Sequence, residues 1–80
     1  MQVYEIIEGI KISVYSNDHL PPHVHAQIGE YEALISIREQ SIVAGYLPSA
    51  KERKAVQFVK KNSSELIELF YALNPQIKKI

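Results

Sequence analysis

All three histidines of this 80-residue chain fall within seven residues, at His19, His23 and His25, and its single aspartate, Asp18, adjoins the first. In a strand, residues two apart point to the same side and sit about 6.5–7 Å apart. His23 and His25 can therefore offer both imidazoles to one metal ion. Zinc takes a third protein ligand at a catalytic site and a fourth at a structural one. Asp18 and His19, from the loop ahead of the pair, and Glu32, across a hairpin, are the candidates. Without a metal, His23 or His25 paired with Glu32 could move protons in RNA hydrolysis. The competing reading is structural, with the imidazoles hydrogen-bonded to backbone or to Ser36, because strands carry His-x-His pairs by chance.

What must position these side chains is a strand and the loop before it. Residues 23–28 alternate in polarity, as do residues 31–37. Gly29 opens a two-residue connection of the kind that suits a type II′ hairpin. That register sets Val24 against Ile35, Ala26 against Ala33 and Ile28 against Tyr31 on one buried face. On the other face His23 meets Ser36, His25 meets Leu34 and Gln27 meets Glu32. The histidines then lie outside the core, sharing their face with Tyr15, Leu34 and Tyr4. Residues 3–7 and the alternating residues 10–15 form a strand pair around Glu8-Gly9. Leu20-Pro21-Pro22 is expected to be stiff and extended, since proline restricts its own φ and the residue before it. Residues 42–47 form a last short strand, weakened by Gly45.

The remainder reads as helix. Ser49-Ala50-Lys51-Glu52 and Asn62-Ser63-Ser64-Glu65 have the pattern of capping boxes. They predict helices over residues 50–61 and 63–73, stopped by Asn74-Pro75. Val56 and Val59 face inward in the first, and Leu66, Leu69, Phe70 and Leu73 in the second. The apolar spacing runs on through the junction, so one bent helix is the alternative. The expected fold is α+β in a single domain: an antiparallel sheet of four to five strands over residues 1–47, then a pair of C-terminal helices over residues 48–80, packed on one face.

Composition narrows the function classes. The chain has no cysteine, so disulfides, thiolate zinc sites and cysteine nucleophiles are excluded. No apolar run approaches the ~20 residues of a membrane helix. The first residues lack the pattern of a secretory signal, so a cytoplasmic protein is expected. The formal net charge is zero but unevenly spread. Residues 1–47 carry two basic residues against six acidic ones, and residues 48–80 seven against three. That split favours head-to-tail association or contact between the basic half and an acidic partner. A row of helix cations that includes Lys51, Lys54 and Lys61 is the candidate nucleic-acid surface.

Several segments together resemble the bacterial domain-of-unknown-function family numbered 4160: Tyr15-Ser16-Asn17, Pro21-Pro22-His23-Val24-His25, Gly29 to Ala33, Gly45-Tyr46, Glu52-Arg53-Lys54 and Asn62 to Leu66. The resemblance spans nearly the whole chain. It implies no settled activity, and its members are small proteins suspected of belonging to toxin–antitoxin-like gene pairs. The leading expectation is an interaction module of such a pair. It would meet a second copy or a cognate small protein through the His23/His25 face, with Tyr15 and Leu34 in the contact. A small metal- or histidine-dependent ribonuclease or hydrolase is the alternative, with zinc as the candidate metal. A nucleic-acid binder acting through the basic helix is the third.

Overall fold

The computed structural model describes residues 2–77. Five strands run in chain order: β1 (Gln2–Ile7), β2 (Ile10–Val14), β3 (His23–Ile28), β4 (Tyr31–Ser36) and β5 (Ser41–Gly45). They form one antiparallel meander of order β1-β2-β3-β4-β5. Helices α1 (Ser49–Lys61) and α2 (Ser63–Leu73) follow. The helical region is thus two helices, as expected.

The β3–β4 register is the one the alternation predicts, from His23 opposite Ser36 to Ile28 opposite Tyr31. Burying one apolar face sets it, because a slip of one residue would turn Val24, Ala26 and Ile35 outward. Those three side chains, with Ile10, Ile12 and Val14, are fully buried under Val59, Leu66 and Phe70 of the helices. At roughly 25 cal/mol per Å² of apolar surface, this layer is the main source of stability. The opposite face carries no helix. Its cross-strand rows include Ser13–His25–Leu34–Ala44 and Ile6–Lys11–Gln27–Glu32.

Several expectations need correction. Tyr4 is the extra residue of a bulge between Val3 and Glu5. It therefore turns to the helices, where its ring meets Phe58 edge-on at 5.8 Å and its hydroxyl donates to Glu65. Tyr31 sits at the hairpin end, 40% exposed, against Tyr46 rather than in the core. The capping boxes do not form. Pro48 and Asn62 occupy the N-cap positions without side-chain cap bonds, and Ser49 and Ser63 lie inside their helices. Asn62 makes the break instead, its side-chain amide donating to the Phe58 carbonyl at the end of α1. In α1 the fully buried residues are Ala55 and Val59, with Val56 only half-buried. The Leu20–Pro21 peptide is cis, and the chain bends there instead of running extended.

The last strand ends at Gly45, whose φ is +82°. A β-carbon there would collide with the Glu32 carbonyl oxygen. The glycine is what lets β5 close onto β4.

Candidate functional site

The β2–β3 loop, residues 15–22, folds back over the start of β3. Asn17 adopts a left-handed φ of +56°, a conformation that asparagine tolerates. Asp18 then points at the strand. Its carboxylate meets all three histidines: Oδ2 lies 3.0 Å from His23 Nε2 and 3.3 Å from His25 Nε2, and Oδ1 lies 3.6 Å from His19 Nε2.

The other nitrogen of each ring has an acceptor. His23 Nδ1 lies 2.7 Å from the Pro21 carbonyl oxygen, His25 Nδ1 3.2 Å from Glu32 Oε2, and His19 Nδ1 3.1 Å from the Leu20 carbonyl oxygen. A carbonyl or carboxylate oxygen accepts only, so each Nδ1 carries the hydrogen. In their neutral forms His19 and His23 then have the lone pair on Nε2, on the side of Asp18. His25 Nε2 instead hydrogen-bonds Asp18 Oδ2 at 3.3 Å, so both nitrogens of that ring face carboxylates.

Burial sharpens the arrangement at His23. Its side chain is 2% exposed, with its ring 5.9 Å from that of Phe70. The expectation that neither histidine is in the core therefore fails for His23: the β2–β3 loop covers it. Asp18 Oδ2, though close, lies off the ring N–H direction, and His23 Nε2 has no hydrogen-bond partner. A buried polar atom left so costs about 1–3 kcal/mol. His25 is partly buried and is stacked by Tyr15 at 4.0 Å, so the expected sharing of a face by Tyr15, His25 and Leu34 holds.

Burial alone would raise the pKa of the Asp18 carboxyl. The His19 backbone N–H and a hydrogen bond from His25 outweigh that, with the attraction of His23 and His25 when they are protonated, and hold it below the ordinary value. The site thus keeps its carboxylate ionised.

One ion can span the donor atoms of Asp18, His23 and His25, which all lie within 4.8 Å of one another. Ligands around tetrahedral zinc sit about 3.4 Å apart, given Zn–N and Zn–O bonds near 2.1 Å. Glu32 is not among them. It buttresses His25 from behind, the usual outer partner of a metal-bound imidazole. His19 lies at the rim, 77% exposed.

Asn74, fully buried just past α2, is the residue that sequence reading missed. Its Oδ1 accepts from the Asp18 backbone N–H at 2.6 Å, and its Nδ2 donates to the Tyr15 and Phe70 carbonyls. It ties the Asp18 loop to α2. In sequence it reads only as a helix stop, because its partners are 56 and 59 positions away.

The basic residues lie elsewhere. Lys51 Nζ donates to the Glu8 carbonyl and Lys54 pairs with the Glu8 carboxylate at 3.4 Å, so two of the row are engaged by the β1–β2 turn. Lys61 is exposed at the end of α1. Among the described residues, no helix is long and apolar enough to cross a membrane.

The family model described as "Domain of unknown function (DUF4160)" matches residues 9–70. The matched stretch contains Asp18, the three histidines and Glu32; Asn74 lies beyond it. No curated protein and no solved structure matches the chain.

Proposed function

The chain belongs to the DUF4160 family, and we propose that it is a divalent-metal protein with Asp18, His23 and His25 as ligands. The observation that carries this reading is the buried Nε2 of His23. Its tautomer is set by the Pro21 carbonyl, and it faces a carboxylate without a hydrogen bond. A lone pair and an anion 3.0 Å apart call for a positive charge between them. A cation bonded to both supplies it, and His25 Nε2 lies within reach of the same ion. Two imidazoles and one carboxylate suit zinc, and three protein ligands keep a position for water, the arrangement of hydrolytic rather than structural zinc. Zinc would lower the pKa of that water to about 7, which makes hydrolysis the reaction class. The chain's own residues hold the ion, orient it through the Nδ1 acceptors and keep Asp18 ionised.

Titration of the metal-free protein with Zn2+ in a calorimeter tests this. One ion per chain is expected, and Asp18→Asn or His25→Ala should weaken binding at least about 100-fold. The metal-free melting temperature of His25→Ala should stay close to that of the unaltered protein, and that of Asp18→Asn should fall only by the stabilisation its ionised carboxylate supplies. Absence of zinc binding, or equal loss of stability in both variants, overturns the reading.

A second reading has its own observation. The helix-free face carries Leu34 and the 62%-exposed Ile6 beside polar side chains. It is a surface for a cognate small protein, as in a toxin–antitoxin-like pair, or for a second copy. Native mass spectrometry of untagged protein should show a complex that Leu34→Asp dissociates; a monomer without a partner removes this reading.

A further inference from the structure

Resting on the metal reading above, we infer that His19 is an exchangeable fourth ligand. It closes the metal's open position in the resting protein and yields it to an incoming anion. His19 shares one feature with His23 and His25: Nδ1 has an acceptor of its own, and Nε2 lies near the Asp18 carboxylate, here 3.6 Å from Oδ1. It differs from them in three ways. It is 77% exposed where His23 is 2% and His25 15%. It faces Oδ1, whereas the other two share Oδ2. It also stands outside the group whose donor atoms lie within 4.8 Å of one another.

The backbone makes the exchange local. The His19 N–H donates to Asp18 Oδ1 at 2.9 Å, so the residue is anchored to the ligand carboxylate itself. Its ring centroid is 5.3 Å from that of His23. On this inference the exchange is a rotation of the His19 side chain, which sits in the β2–β3 loop, so no strand or helix need move. Because the ring is already solvated, leaving the ion exposes no apolar surface. A buried ligand such as His23 has no comparable route out.

Cobalt-loaded protein titrated with azide tests the inference, since the visible bands of Co2+ report its coordination. If His19 fills the open position about nine-tenths of the time, His19→Ala should tighten azide binding about ten-fold. Its Co2+ affinity should fall far less than that of Asp18→Asn, and free imidazole should return the variant's spectrum to that of the unaltered protein. Equal azide affinity in the two proteins overturns the inference while leaving the metal site standing. Loss of Co2+ binding in His19→Ala equal to that in Asp18→Asn also overturns it, by making His19 a permanent ligand. Failure of the unaltered protein to bind Co2+ removes the metal reading and this inference with it.

Discussion

The two faces of the sheet are made from the same strands and are held in different ways. Under the helices, Ile10, Ile12, Val14, Val24, Ala26 and Ile35 are fully buried by non-directional apolar packing. On the other face, order comes from directed polar contacts of the β2–β3 loop with His23 and His25. Among the described residues, the buried side-chain polar atoms without a hydrogen-bond partner are Ser13 Oγ, His23 Nε2 and Gln27 Oε1. By strand register all three belong to the helix-free side. One face thus meets its own needs, while the other holds polar groups that a ligand could complete. Substitutions on the first face should change stability, and those on the second should change binding.

The largest test of that division is Phe70→Ala. Phe70 is fully buried and touches both the core and His23, so about 3–5 kcal/mol of stability should go. A chemical denaturation curve reads it, and a loss below 1 kcal/mol would mean that the helix layer is not what stabilises the sheet. Asn74→Ala should come next, because Asn74 ties the Asp18 loop to α2. Each buried partner left unpaired costs about 1–3 kcal/mol. Zinc affinity should drop about 10-fold or more as Asp18 loses its backbone anchor. Unchanged zinc affinity in a folded variant would show that the loop holds its position without α2.

Acid should act on the polar face first. Asp18 has a lowered pKa in the folded protein, so its stabilisation is complete above the ordinary aspartate value of about 3.9. It is lost as pH falls through the lower native value. Denaturation midpoints measured down through pH 4 should decline less steeply in Asp18→Asn than in the unaltered protein; parallel curves would sever the link. The smallest effect belongs to neither face. Lys54→Ala removes a solvent-exposed pair with Glu8 and should shift stability by no more than about 0.5 kcal/mol in the same assay.

The apolar face was largely legible in the sequence, because period-2 alternation and register are local signals: the six β3–β4 pairs follow from them. The two helices were legible too, although neither capping box forms and Asn62 marks the break by bonding back to the Phe58 carbonyl. The polar site was legible as a list of residues and not as a geometry. Asp18, His23 and His25 stood out by type and spacing. Nothing local, however, says that the loop folds over His23 or that Glu32 stands behind His25 rather than beside an ion. Asn74 escaped because a buried asparagine looks like any other helix terminator until its distant partners are known. Tyr4 went to the wrong face because a bulge adds one residue and inverts the alternation after it.

The long reach of Asn74 has a consequence for the chain during synthesis. The meander pairs only sequence neighbours, so each strand can pair as soon as the next has emerged. Asp18 gains its tether only when residue 74 has left the ribosome, after every strand and both helices. A nascent chain therefore displays its histidines well before it can organise them. On the metal reading, the site has its anchored loop only once residue 74 is in place.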